Sequence, residues 1–217
     1  MITTNDILFL LQGVPTTLLI SIFSFILGFI IGIPISLCRS FKIPIASQFA
    51  DAYEKIFRGI PILVFMLFFH FGLGGIIPIF KDPFMTSVIA LGMRSGAYQS
   101  QIFRGAINSV GRQQMMAAIS LGMKKLQALR YVILPQAFIV ALPGLGSEIA
   151  LLIKDSAYSF VLGVLDLAKY ADILRRGTRS FIFPYLAAAI IYVILTFPFA
   201  NYLDKLGSRL KTKYGLR

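Results

Sequence analysis

Two ionisable residues stand in stretches that otherwise read as hydrocarbon. Glu148 closes the run Leu142-Pro-Gly-Leu-Gly-Ser-Glu148, and Arg94 sits inside an apolar stretch from about Phe84 to Val110. A charge at membrane depth is costly, so such residues mark a solute pathway or neutralise one another. A guanidinium is a planar fork that grips a carboxylate through two parallel bonds. Around the two charges the sequence supplies hydroxyl and amide groups at Ser95, Tyr98, Gln101 and Ser147. These six residues form the candidate binding set. Two uses stay open for the charged members: contact with a polar solute, or a structural ion pair between Glu148 and Arg94. Pro143, Gly144 and Gly146 just before Glu148 are expected to interrupt the helix, and broken helices near the midplane are where transporters expose backbone groups. Lys154 and Asp155 follow, either as a local ion pair at the outer interface or as part of a gate.

Other chemistry is poorly supplied. The chain has one histidine, His70, within an apolar run, and one cysteine, Cys38. Neither a metal site nor a catalytic residue is expected from them.

The elements that must hold these residues follow from composition. Of 217 residues, 57% are apolar and 14% charged, with mean hydropathy +0.81. A water-soluble domain lies nearer about 45–50% apolar and about 25% charged. The net charge of +12 does not point to nucleic acid, because a basic domain of that kind does not carry 20 Phe in long apolar runs. With about 20 residues per crossing, the expectation is an all-α integral membrane protein of about five transmembrane helices and a single domain over 1–217. The spans read as about Gly13–Cys38, Phe57–Gly75, Phe84–Val110, Val132–Ile153 (interrupted at Pro135 and Pro143) and Phe181–Leu203. No Lys or Arg precedes the first span, so it lacks the positive start of a secretory signal and is expected to remain in the mature protein.

Orientation follows from the 21 Lys and Arg. Segments 39–58, 104–130 and 205–217 hold 14, while the opposite side holds 6. The richer side is read as cytoplasmic, which places the N-terminus outside and the C-terminus inside. Arg175, Arg176 and Arg179 run against that rule, although Asp155, Asp166 and Asp172 share their segment. An extra half-helix between 156 and 179, such as Phe160 to Leu167, would alter the count.

The cytoplasmic run from Gly111 to Gly122 reads as a short helix, rich in strong helix formers and stopped by Gly122. Met115, Met116, Ile119 and Met123 recur at three- and four-residue spacing. Such a helix either lies on the lipid interface or fits a groove on a partner protein.

The residues here carry a resemblance. Met116-Ala-Ala-(x3)-Gly122-(x9)-Val132-Ile-Leu134-Pro135 resembles the Glu-Ala-Ala loop of ABC-importer permeases, with Met116 in the Glu position and Val132 in the Ile position. Further matches are similar to the polar amino-acid uptake subfamily (the histidine, arginine and glutamine permeases): Gln12-Gly-(x2)-Thr16-Thr-Leu18, Tyr53-(x4)-Arg58-Gly-Ile-Pro61, Ala97-Tyr98, Arg104-Gly105, Lys154-Asp155-Ser156 and Ile190-Ile-Tyr192.

The resemblance implies a type I importer fold in the plasma (inner) membrane of a prokaryote. It implies three kinds of protein partner: a cytoplasmic ATPase dimer, a second permease subunit, identical or homologous, and an extracellular or periplasmic amino-acid-binding protein. The 111–126 loop would then be the coupling helix, meeting the ATPase through Met115, Met116, Ala117, Ala118, Ile119, Leu121 and Gly122. Gly-x4-Gly-Lys-[Ser/Thr] occurs nowhere in the chain, so ATP and magnesium are expected on the partner, and this subunit is expected to be no enzyme and to bind no cofactor.

An amino acid is a zwitterion, which fits one cationic and one anionic protein group. Arg94 and Gln101 depart from the subfamily, where a small polar residue and a Glu are usual, and so favour neutral or acidic substrates. The alternative, an ion-coupled secondary amino-acid transporter, would call for inverted repeats or several intramembrane acids. The sequence shows one mid-span acid and no repeat between its halves.

Overall fold

Proline and glycine punctuate this chain more sharply than its hydropathy does. The computed structural model describes residues 4–178 and 180–215, and among them all regular structure is helical. Helix α1 (Thr4–Leu11) turns through Gln12 and Gly13 into α2 (Val14–Ser40). Pro15 stands in the first turn of α2, where a missing N–H leaves no bond unmade. A turn with Lys42 and Ile45 at positive φ, 49° and 67°, leads to α3 (Ala46–Gly59).

The span expected at Phe57–Gly75 is corrected by the structure. Its helix starts at Ala46, stops at Gly59, and resumes as α4 (Ile62–Leu67) with a π-helical continuation over Phe68–Leu73, the two parts bent by 100°. Pro61 is the cause. Its ring disfavours helical backbone at the residue before it, and Ile60 is accordingly extended at φ −93°, ψ 134°.

Helix α5 (Pro83–Ser120) is capped by Asp82, whose Oδ1 accepts from the N–H of Phe84 at 2.7 Å and Met85 at 3.1 Å. A short helix α6 (Lys125–Ala128) and a π turn lead to α7 (Leu134–Asp155). A 3-10 turn (Ser156–Leu162), α8 (Leu167–Thr178) and α9 (Ile182–Lys213) complete the chain.

Three helical stretches are long and apolar enough to cross a membrane: Thr4–Ser40, Lys125–Leu162 and Ile182–Lys213; the bent 46–73 pair makes a fourth. Helix α5 is longer than any crossing needs but carries too many polar residues to face lipid. It lies at the centre, packed on α2 and α7, with α9 against α7. At the α2–α5 crossing a Cβ on Gly28 would lie 2.7 Å from Gln99 Nε2, so only glycine lets the two backbones approach this closely. Gln99 Nε2 in turn donates to the Phe25 carbonyl and to Ser95 Oγ, each at 3.0 Å.

Three further expectations change. Helix α7 is not interrupted at Pro143 but runs through it. One proline removes a single backbone bond, and the small residues around it serve packing instead: a Cβ on Gly146 would meet Leu203 at 2.9 Å, and one on Gly207 would meet Pro143 at 2.8 Å. The 111–122 segment is not a separate helix either; its first ten residues are the end of α5, which stops at Ser120. The half-helix proposed at Phe160–Leu167 is a 3-10 turn over Ser156–Leu162, followed by α8. There Asp172 accepts from both Arg175 (2.9 Å) and Arg176 (2.7 Å), although the orientation rule counts Lys and Arg and these two still run against it. The two arginines hold the Asp172 carboxyl below its ordinary range. Arg179 lies outside the described residues.

Candidate functional site

Four helix ends converge on the middle of α5. The last turn of α3 supplies Arg58, the Pro61 break supplies bare backbone next to the start of α4, the last residue of α7 is Asp155, and the 3-10 turn after it supplies Tyr158. With Arg94 and Tyr98 of α5 they line a cavity of about 540 Å³. Arg94 forms an ion pair with Asp155 through one guanidinium nitrogen. Two cations approach the Tyr98 ring, the Arg58 guanidinium 5.1 Å and that of Arg94 5.2 Å from its centroid. Arg94 and Tyr98 are four residues apart and share one face of α5.

The structure therefore corrects both ion pairs expected from sequence. Arg94 pairs with Asp155, not with Glu148, and Asp155 looks across to α5, not back to Lys154. Glu148 is 5% exposed, within hydrogen-bonding reach of Ser95 and in the electrostatic field of Arg94, yet it makes no ion pair of its own among the described residues. Of the six candidates, Arg94 and Tyr98 line this cavity; Ser95 and Glu148 lie within reach of each other but do not line it, and Gln101 and Ser147 lie elsewhere.

Gln101 lies two turns further along α5 and donates to Glu54 Oε2 at 3.1 Å. Ser147 is exposed, donates to the Pro143 carbonyl at 3.3 Å and lines a different, mostly apolar cavity against α9. Ser147 is thereby separated from the Arg94 cavity, which it does not line. Arg58, Asp155 and Tyr158 were absent from the candidate set. A signal existed for the first two, since Tyr53-(x4)-Arg58-Gly-Ile-Pro61 and Lys154-Asp155-Ser156 were both singled out as motifs.

The far end of α5 has different chemistry. Met116, Ile119 and Leu121 are exposed, Leu121 to 84%, while Ala118 is buried and Met115 is turned toward the core beside Phe103 and Ile133. The expected apolar face thus loses Met115. Gly122 has φ +85°, as its role of helix stop requires; its N–H bonds the Ile119 carbonyl at 2.9 Å, and the Met123 N–H bonds that of Ala118 at 3.1 Å. This pair of bonds is the Schellman motif, which needs a left-handed residue at that position. His70 Nδ1 lies 2.8 Å from the Phe80 carbonyl oxygen and is engaged there.

An all-helical bundle with an ionic cavity walled by helix ends, and an apolar helix end projecting at one pole, is built as a membrane transport subunit. The chain belongs to the family of binding-protein-dependent transport system inner membrane components, whose pattern matches residues 6–212. It is 39% identical over 189 residues to a putative glutamine transport system permease protein of Rickettsia typhi, covering 87% of each chain. It is 34% identical to an arginine transport system permease protein of Bacillus subtilis, covering 89% of this chain and 88% of that one. Among solved structures it resembles an amino acid ABC transporter crystallised with histidines, at 35% identity and TM-score 0.83 over 93% of this chain and 94% of that one. The inward-facing MetNI methionine ABC transporter, 18% identical, superposes with TM-score 0.83 over 96% of this chain and 99% of that one. The fold is that of a type I ABC importer permease, a multi-pass inner-membrane component, and the ion-coupled alternative gains no support from these relatives.

Proposed function

We propose that this chain is the membrane-spanning permease of an importer for polar amino acids, with the Arg58–Arg94–Tyr98–Asp155 cavity as its solute site. The observation that carries this is the Arg94 guanidinium, paired with one acid and lining a cavity with room for an amino acid. An incoming α-carboxylate takes donors that Asp155 does not occupy. Asp155, the acid that lines the cavity, faces the ammonium. Similarity to glutamine and arginine permeases supports an amino-acid cargo.

A separate ATPase dimer supplies the energy and holds ATP and magnesium, a second permease copy or homologue completes the pathway, and an external binding protein delivers the solute. The exposed Met116, Ile119 and Leu121 are the apolar face that docks in the ATPase. The complex reconstituted in vesicles with its binding protein should hydrolyse ATP faster when amino acid is added. Gly122→Val should remove most of that stimulation while leaving membrane insertion intact, because a β-branched residue cannot adopt φ +85° without strain. Full stimulation in the variant would refute the docking role.

A further inference from the structure

A second ionic cavity lies at the other end of the bundle from the solute site. It measures about 900 Å³, and its polar wall is formed by Arg39, Lys42 and Arg104 with Ser40, Gln101 and Asn108. No acidic side chain lines it. A neighbouring cavity of about 500 Å³ shares the same three cations and is walled on its far side by Ile43 and Ile45. The cations thus stand as a partition between two open spaces.

Part of this charge is accounted for internally. Glu54 is 1% exposed; it is paired with Arg39, lies 3.7 Å from Arg104, and accepts from Ser100 at 2.8 Å. Asp51 takes Arg39 at 2.7 Å and Lys55 at 2.6 Å. Arg39, Arg104 and Lys55 each have one of these two carboxylates beside them, which leaves Lys42 as the cation of the cavity without an acid partner among the described residues. Half-exposed guanidinium groups with spare N–H donors are suited to a phosphoryl anion.

The depth of the cavity identifies the source of that anion. Arg39 is 25 residues beyond Val14 on α2, about 38 Å along the axis, which passes through an apolar layer of about 30 Å into the headgroup zone. Next to the cations the chain turns apolar side chains outward: Ile45 is 68% and Phe49 73% exposed. Cations beside exposed hydrocarbon match a molecule with a charged head and an acyl body, whereas a soluble anion has no use for the second feature. We propose that the Arg39–Lys42–Arg104 cavity holds the phosphodiester of an anionic phospholipid from the leaflet at the Lys- and Arg-rich end of the bundle.

The test is native mass spectrometry of the full chain in detergent, titrated with dioleoyl phosphatidylglycerol, with dioleoyl phosphatidylcholine, and with phosphatidylglycerol plus millimolar inorganic phosphate. The wild-type chain should retain phosphatidylglycerol about fivefold or more over phosphatidylcholine, the preference of a single cation at a membrane surface. Lys42→Asn removes the unpaired charge and keeps a residue tolerant of φ +49°. It should bring the two lipids to within about twofold of each other with an unchanged melting temperature. Equal retention of the two lipids by the wild type overturns the proposal without recourse to the variant. So does a Lys42→Asn chain that keeps the full preference. Displacement of phosphatidylglycerol by inorganic phosphate would assign the cavity to a soluble anion instead.

Discussion

Glu54 and Glu148 are both buried carboxylates in an apolar bundle, and they are buried in opposite ways. Glu54, on α3, has its oxygens taken by Arg39, Ser100 and Gln101, with Arg104 close by. Nothing there is left over for a solute. Glu148, on α7, has Ser95 for a neighbour and Arg94 in its field, but Arg94 spends its ion pair on Asp155. Burial of charge is thus the same signal at both places, and only the saturation of hydrogen-bonding capacity separates a structural staple from an open site. A saturated network locks helices together, whereas an unsaturated one keeps a place for something that comes and goes.

Removing the staple should have the largest effect. Glu54→Ala leaves Arg39 and Arg104 without their common acid, a cost of about 3–5 kcal/mol, which should appear as a melting temperature lower by on the order of 10 °C or as failure to accumulate. A variant that melts like the wild type would erase the distinction between the two carboxylates.

Arg94→Lys should act on transport and spare the fold. A lysine still neutralises Asp155, but it presents a point charge where a fork stood. Loss of a charge-assisted bond of about 1.5–3 kcal/mol should raise the KM for uptake roughly tenfold to a hundredfold with little change in melting temperature. An unchanged KM would move the carboxylate site away from this cavity.

Glu148→Gln should be the mildest. Because no ion pair is broken, the complex should assemble and melt normally, while the ratio of uptake between cationic and neutral amino acids shifts by about fivefold. Uptake unchanged across basic, neutral and acidic amino acids would leave Glu148 with no part in selection, and a collapse in stability would class it with Glu54.

Much of the architecture was legible because hydrocarbon length is written directly into the sequence. Helix α2 lies within two residues of its expected bounds, α9 starts one residue from its expected start but runs ten residues further, to Lys213, and Gly122 stops its helix as read. What hydropathy could not show was continuity. Pro61 and Pro143 look alike in sequence, yet one breaks the chain by 100° and the other is absorbed in α7. The difference lies in neighbours far along the chain, such as Gly207, which accepts the Pro143 ring.

The same holds for the site. Arg94 and Glu148 were found because charge in hydrocarbon is conspicuous, but their pairing depends on where α7 ends relative to α5. That places Asp155, 61 residues away in sequence, in front of Arg94. Gln101 and Ser147 were grouped with them by sequence proximity, and helical rotation and rise carried both elsewhere.

The unbroken course of α5 has a mechanical consequence. Arg94 and Ser120 stand on one helix, 26 residues or about 39 Å apart. A rod of that length, pivoting at Arg94 by about 5°, sweeps its far end through about 3.4 Å, comparable to the rise of two helical residues. The Arg94 cavity and the apolar tip are therefore joined by a lever arm with no hinge between them.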